Sequence, residues 1–165
     1  MSGERDFAEF AESTWRELRR TAYLMCGDWE RAEDATQDAL VKVFASWRRV
    51  RGPRVRAYAH KVVASAVLDQ GRRPWRRERA TDVLPEVAGA DHTLDLDRKD
   101  ALMRALATLG PGQRACVVLR YQADLTEAET ARALGISLGT VKSQTSRGLA
   151  ALRALLEPTP ERDDA

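Results

Sequence analysis

Basic residues are concentrated in one segment of the chain, residues 48–79. This segment holds 11 lysine and arginine residues and 2 acidic residues, a net charge of +9, whereas the whole chain carries only +2. Three aromatic residues, Trp47, Tyr58 and Trp75, are interleaved with the basic ones. Guanidinium groups neutralise phosphates, and aromatic faces stack on unpaired bases with on the order of 1–3 kcal/mol per base. The segment is therefore typical of a surface for opened nucleic acid, although packing in the core is the favoured interpretation for Trp47 and Tyr58.

Polar side chains fall on one side of the last predicted helix. Its inward side is marked by Val141, Thr145, Leu149, Leu152 and Leu156. The opposite side carries short or basic residues, namely Gly139, Thr140, Lys142, Ser143, Ser146 and Arg147. Short side chains permit close approach to the major groove of DNA, and lysine and arginine can bond to phosphates or guanine edges. This side is a candidate reader of duplex DNA.

The residues before that helix have the spacing of a helix-turn-helix. Ala131 precedes Gly135 by four positions, Ile136 follows at once, and Val141 comes five positions later. The small residue lets two helices cross closely, the glycine makes a sharp turn, and the two apolar residues fill the space between the helices. Ser137 is suited to cap the second helix. An ordinary helical hairpin with a solvated outer face remains the alternative.

Helical periodicity extends over most of the chain. Apolar residues recur every three to four positions from Phe7 to about Gly27 and again to Trp47, with Phe44 assigned to the inward side. After a break at RGPR (51–54), a third helix is predicted from Val55 to Gln70. Four more helices are predicted over 99–109, 112–124, 126–134 and 138–156. Residues 80–97 are acidic, contain proline and glycine and have no lasting period, which is typical of a linker.

These elements predict an all-α protein made of two small helical bundles that are joined by a flexible acidic linker. The expected boundaries are 1–79 for the first domain, 80–97 for the linker, 98–157 for the second domain and 158–165 for a disordered tail.

The composition argues against several classes of protein. The chain is 44% hydrophobic and 32% charged, as expected of a soluble globular protein, and neither a membrane span nor a secretory signal is recognisable. Cys26 and Cys116 have no metal-ligand spacing, and we expect them to be reduced thiols in a cytoplasmic protein. His60 and His92 are the only histidines, and no known catalytic motif occurs. We therefore predict no catalytic residue, no metal and no cofactor.

With these residues identified, the chain resembles a bacterial sigma factor of the extracytoplasmic-function group over about residues 5–156. Two segments carry the resemblance, AEDATQDALVKVFASW (32–47) and LTEAETARALGISLGTVKSQTSRG (125–148), with the basic helix and the acidic linker between them. The stretch VKSQTSRGL is similar to a subgroup common in actinobacteria. Where the family often has alanine and arginine after Arg147, this chain has Gly148 and Leu149.

The resemblance implies that core RNA polymerase and promoter DNA are the partners, and that the domains correspond to sigma regions 2 and 4. The residues expected to dock on core polymerase are Asp34, Gln37, Asp38 and Lys42. The residues expected at the opened minus-10 element are Arg51, Arg54, Arg56, Lys61, Asp69, Arg72, Arg73, Trp75 and Arg76, with the turn 50–56 holding a flipped base. The residues expected at the minus-35 element are Gly139, Thr140, Lys142, Ser143, Ser146 and Arg147. Many relatives are restrained by an anti-sigma protein, and this chain has enough apolar surface for one.

Three alternative functions fit the sequence less well. A helix-turn-helix regulator of the quorum-response type fits the pattern near residue 135, but the first 100 residues lack the alternating strands and helices of a receiver domain. A protein-binding helical module would not need a block of +9. An enzyme is disfavoured because the expected motifs are missing.

Overall fold

The computed structural model describes residues 2–72 and 93–158, with side chains for 2–71 and 96–158. Every regular element in these ranges is helical, which confirms the predicted all-α fold. In chain order the elements are α1 (Ser2–Cys26), α2 (Trp29–Ala45), α3 (Trp47–Val50), α4 (Val55–Arg72), α5 (Thr93–Ala107), α6 (Pro111–Val117), a π-helical turn (Val118–Gln122), α7 (Glu127–Leu134) and α8 (Leu138–Leu156).

Helices α1, α2 and α4 pack together and form the first bundle with the short α3. Small residues make this packing close, since Ala35 and Ala39 of α2 and Ala59 of α4 have no exposed surface. Helix α1 ends at Gly27, whose positive φ of 75° is accessible to glycine without strain. Helix α2 begins after Asp28, whose Oδ1 accepts hydrogen bonds from two backbone N–H groups at 2.9 and 3.2 Å.

The Trp47 side chain lies in the core of the first bundle and is 8% exposed. Its ring meets Phe7 edge-on at a centroid distance of 5.4 Å and Phe10 at 5.5 Å. Tyr58 is also half-buried against the core. Packing in the core is therefore the correct interpretation of Trp47, because a buried ring cannot stack on a base.

Helices α5 to α8 and the π-helical turn form the second bundle. Thr126 and Glu129 make a reciprocal capping box at the start of α7, and Gly135 ends that helix with a φ of 64°. The Ser137 hydroxyl then accepts a hydrogen bond from the backbone N–H of Thr140 and caps α8. The predicted helix-turn-helix is thus present, with the predicted glycine and serine in the two turn positions.

Two details of the second bundle differ from the sequence predictions. Helix α5 begins at Thr93, inside the range 80–97 that the sequence predicts as a linker. The helix breakers that suggested a linker, Pro85 and Gly89, both precede Thr93 in the chain. Leu156, assigned to the inward side of α8, is 43% exposed because the last turn of α8 extends beyond the bundle.

The two bundles are in contact. Helix α4 packs against α7, while α1 contacts α5, α6 and the π-helical turn. The buried apolar residues accordingly form one cluster that includes members from both bundles. The sequence predicted the two bundles but gave no indication that they pack on each other.

Candidate nucleic-acid and polymerase interfaces

The residues predicted to dock on core polymerase form an exposed stripe on α2. Asp34, Asp38 and Lys42 follow one another at intervals of four residues, Gln37 lies beside Asp38, and all four are exposed. The other side of α2 is buried in the bundle, through Ala32, Ala35, Thr36, Ala39 and Val43. The stripe is therefore available to a partner, while the buried side of α2 fixes the helix in the first bundle.

Two apolar side chains extend this stripe, and sequence reasoning missed both. Val41 is 69% exposed and Phe44 is 50% exposed, although the apolar pattern assigned Phe44 to the inward side. The signal was present in the run LVKVF (40–44), because apolar residues at four of five consecutive positions occupy more of a helix than one buried side can cover. The stripe thus combines an apolar patch with neighbouring charged side chains, as the apolar core and the polar rim of a protein interface do.

The turn between α3 and α4 presents positive charge to solvent. Arg51 and Arg54, both predicted contacts of the minus-10 element, are exposed on either side of Gly52, which has a φ of 120°. A pocket of about 770 Å³ lies next to this turn and extends to the first residues of α1. Arg48 and Arg49 line it together with Arg51, and Phe44 and Trp47 supply apolar walls. The guanidinium groups are suited to a phosphate, and the half-exposed ring of Phe44, unlike the buried ring of Trp47, is open to a base.

The remaining predicted minus-10 residues occupy three different environments. Lys61 and Asp69 are exposed on α4. Arg56 is half-buried, and its guanidinium bonds both to the carboxylate of Glu17 in α1 and to the backbone carbonyl of Ala123 in the second bundle. The backbone of Arg72 ends α4. The Arg72 side chain and the residues Arg73, Trp75 and Arg76 lie outside the described part of the structure.

His60 is fully buried next to Arg56 and shares its partner. The His60 Nε2 atom lies 3.0 Å from Glu17 Oε1, so this nitrogen donates to the carboxylate, which can only accept. Burial lowers the pKa of the His60 imidazole below its ordinary value, and the hydrogen bond to Glu17 opposes that effect only partly. Partial burial favours a higher pKa for Glu17, but the hydrogen bonds from Arg56 and His60 prevail and lower it. The cluster therefore holds a neutral imidazole, a carboxylate and a guanidinium.

The residues predicted to read the minus-35 element share the outer side of α8. Gly139, Lys142, Ser143, Ser146 and Arg147 are exposed, and Thr140 is half-buried. Val141 and Leu152 are buried on the opposite side, as predicted, and Thr145 and Leu149 are half-buried. The α8 surface is thus a continuous small and basic face.

Hydrogen bonds inside the helix already occupy two of the hydroxyls on this face. The Thr140 Oγ1 atom lies 2.8 Å from Ser137 Oγ, and the Ser143 hydroxyl donates to the Thr140 carbonyl at 3.1 Å. Lys142 lies 3.7 Å from the carboxylate of Glu127 at the start of α7. Leu138, which sequence reasoning did not select, is 45% exposed in the first turn of α8. An apolar side chain in that position can contact a thymine methyl group.

Neither a membrane-spanning helix nor a metal centre is found within the described ranges. No helix there is both long and apolar enough to cross a membrane, and no group of three or more metal-ligating side chains comes together. Burial raises the pKa of the Cys26 thiol, which donates a hydrogen bond to the Asp28 carbonyl. Burial also raises the pKa of Cys116, so neither thiol is activated as a nucleophile.

Comparison with known proteins gives matches in both parts of the chain. The family model described as sigma-70 region 2 matches residues 10–77, and the model for sigma-70 region 4 matches residues 99–152. The RNA polymerase sigma-E factor of Streptomyces avermitilis is 35% identical over 153 residues, covering 92% of this chain and 86% of the relative. The sigma factor SigM of Mycobacterium tuberculosis is 38% identical over 144 residues, covering 86% and 72% respectively.

A solved structure supports the fold. The sigma factor RpoE of Bartonella quintana, crystallised with the anti-sigma factor NepR, superimposes with a TM-score of 0.72 at 24% identity and covers 92% of this chain and 97% of that one. The region 2 match argues against a regulator of the quorum-response type, in which a receiver or ligand-binding domain would precede the helix-turn-helix. Both the sequence relatives and the architecture agree with the resemblance seen in the sequence, and the chain belongs to the extracytoplasmic-function sigma factors of bacterial RNA polymerase.

Proposed function

We propose that the chain directs core RNA polymerase to promoters through three separate surfaces: the α2 stripe for polymerase, the basic turn and α4 for opened minus-10 DNA, and the outer side of α8 for minus-35 duplex. RNA synthesis belongs to the polymerase, and the chain contributes binding alone. This role requires the cytoplasm, where polymerase and promoter meet. The observation that carries the proposal is the exposure of all four docking residues on α2 together with an exposed small and basic side of α8.

The α2 stripe is suited to a protein and not to DNA. Asp34 and Asp38 would repel phosphates, whereas Val41 and Phe44 offer apolar area that a protein partner can bury. An interface of this kind is weakened when its apolar centre is made polar. Val41 is therefore the sharpest test position, because its side chain contributes little to the bundle.

The basic turn and α4 are suited to a separated strand. Arg51 and Arg54 are exposed beside a pocket with aromatic and guanidinium walls, and Lys61 continues the positive charge along α4. Stacking and phosphate neutralisation in such a site compensate for the base stacking that is lost when the duplex opens. The basic stretch after Arg72 adds charge in the sequence.

The experiment is reconstituted transcription with core RNA polymerase on genomic fragments, with the 5′ ends of the transcripts sequenced. We expect start sites that share one pair of upstream motifs and that depend on the chain. The Val41→Asp variant is expected to lose affinity for core polymerase at least about tenfold. Arg132→Ala, which removes an exposed charge from α7, is a control that leaves polymerase binding unchanged. The proposal fails if the chain shifts promoter duplex without polymerase and adds no specific start site with it.

A second set of variants separates the two roles of the first bundle. Replacement of Arg72, Arg73, Arg76 and Arg77 with alanine is expected to impair promoter opening more than it impairs binding to polymerase. Promoter opening is measured by the reactivity of unpaired thymines toward permanganate. An equal loss of both would refute the division of roles between α2 and the basic segment.

A further inference from the structure

Two arginines cross between the bundles in opposite directions. Arg56 of α4 donates to the backbone carbonyl of Ala123, the residue that ends the π-helical turn of the second bundle. Arg114 of α6 donates through Nε to the carbonyl of Leu24, at a distance of 2.6 Å, in the last turn of α1. Each bundle thus supplies one guanidinium to the other.

Both acceptors are carbonyls at the end of a helix. The last four carbonyls of a helix have no partner within it, and the helix dipole places partial negative charge there. The Arg114 guanidinium also lies close to Gly27, the residue that follows α1. A Cβ atom on Gly27 would be only 3.6 Å from Arg114 Nη2. The two contacts therefore use the same chemistry, a cation capping the C-terminal end of a helix in the other bundle.

The Arg114 contact is costly to keep. Arg114 is half-buried, and its Nη2 atom is buried without a hydrogen-bond partner in the described structure. No carboxylate of the described residues lies within ion-pair distance of Arg114. Desolvation of a partly buried cation without a counter-charge offsets much of what its hydrogen bond contributes, so the net stabilisation from this contact is small. This is the property expected of a latch and not of a permanent core.

The packed bundles are too short to reach two promoter elements at once. A compact chain of this length has a radius of gyration of about 15 Å and hence a diameter of about 40 Å. Elements centred near positions minus 10 and minus 35 are separated by about 25 base pairs, on the order of 85 Å along B-form DNA. The bundles must therefore separate before both elements can be held by one chain.

We infer that Arg56 and Arg114 form a reciprocal latch that keeps the free chain closed, and that Arg56 exchanges the Ala123 carbonyl for promoter DNA when the bundles separate. The latch rests on the contacts described above, whereas the exchange onto DNA rests on the proposed function. Helix α7, which packs against α4, is the element released on opening.

The test is hydrogen exchange of the full chain, followed by mass spectrometry, in Arg114→Gln and in Arg56→Gln. Each variant removes a charged hydrogen bond, so we expect amides of α7 to exchange about tenfold faster or more, while those of α2 keep their wild-type rate. Arg114→Lys keeps the charge and one donor, and is expected to fall between the wild type and Arg114→Gln. Arg104→Gln, an exposed arginine of α5, is the matched control with no change in either helix.

The alternative outcomes are distinct. Unchanged exchange in α7 in both variants would overturn the latch, and so would an equal rise in α2 and α7, because the arginines would then support the whole fold. In a second arm, Arg114→Gln is expected to bind a single-stranded minus-10 oligonucleotide several-fold more tightly than the wild type, and Arg56→Gln in the same chain to abolish the gain. A faster α7 without that gain would keep the latch and overturn the exchange of Arg56 onto DNA.

Discussion

Gly148 in α8 lies directly against Val117 in α6: a Cβ atom on the glycine would be only 2.7 Å from Val117 Cγ2 and 3.4 Å from the carbonyl oxygen of Gln113. Real Cβ atoms essentially never approach this closely, so a side chain here requires Val117 or the α6 backbone to shift. The structure thus explains why a glycine stands at this position of α8. The valine of α6 fills the space that an alanine methyl group would need.

We predict that Gly148→Ala lowers the free energy of unfolding by up to about 2 kcal/mol, since overpacking costs about 1–3 kcal/mol and a gain in helix propensity offsets about 1 kcal/mol of it. Urea unfolding measures the change. Gly139→Ala in the same helix is the control, because its nearest atom would be 4.0 Å away, and it should not destabilise. Val117→Ala in the Gly148→Ala chain should recover part of the loss. Strictly additive effects of the two substitutions would contradict the contact.

A second prediction concerns the turn of the helix-turn-helix. A Cβ atom on Gly135 would have nothing within 4 Å, so the cost of Gly135→Ala comes only from its φ of 64°. We expect a loss of about 1 kcal/mol for alanine and a smaller loss for asparagine, which tolerates this conformation. Gly139 is the matched control, because a Cβ atom there would have its nearest neighbour at 4.0 Å and its φ is not positive, and Gly139→Ala should cost nothing. Equal effects at both glycines would show that the backbone angle is irrelevant.

Sequence reasoning predicted the local features well because they depend on neighbouring residues. The cap at Asp28, the turn at Gly135, the cap at Ser137 and the break before Val55 each follow from a residue type and its position relative to an apolar repeat. The partners of Arg56 could not follow in this way, because one of them lies 67 positions away in the chain. Phe44 is a mixed case: its ring packs on Phe7 of α1 at a centroid distance of 4.9 Å and is still 50% exposed, as the crowded apolar run 40–44 allows.

The candidate sites also differ in whether they depend on local sequence or on long-range packing. The small and basic side of α8 is a property of one helix, so its exposure was predictable from periodicity. The contact between the bundles depends on long-range packing of α4 on α7, and no local pattern signals it. The roles of individual residues toward polymerase and DNA remain predictions.

The cluster of the buried His60 with the half-buried Glu17 and Arg56 makes stability depend on pH. The folded-state pKa of His60 lies below its unfolded value of 6.5, so the unfolded chain binds this proton first as the pH falls. The lowered pKa of Glu17 acts in the same direction below its unfolded value of 4.5. We expect full stability above about pH 6.5 and a loss on acidification, with a slope of at most about 1.4 kcal/mol per pH unit for each proton.

Two measurements check this dependence. In a His92→Gln chain, where His60 is the only histidine, the imidazole C–H resonance should titrate below pH 6.5. Urea unfolding at a series of pH values should give a decline between pH 6.5 and 5 that is flattened in His60→Gln. A midpoint above 6.5, or stability that rises on acidification, would contradict the buried neutral imidazole.

The pairing of Lys142 with Glu127 predicts that the first helix of the helix-turn-helix weakens DNA binding by the second. The two charges lie 3.7 Å apart and are both exposed, so the pair contributes less than about 1 kcal/mol, yet it competes with phosphate for the ammonium group. Glu127→Gln is therefore expected to raise affinity for minus-35 duplex by up to about fivefold at low salt. Lys142→Gln should reduce the slope of log affinity against log salt by about 0.9. Glu157→Gln also removes one negative charge, but beyond the end of α8, and therefore controls for the change in net charge of the second bundle. Fluorescence anisotropy across a salt series measures the DNA affinity of all three variants. An equal gain in affinity for Glu127→Gln and Glu157→Gln would mean that net charge, and not release of Lys142, sets the affinity.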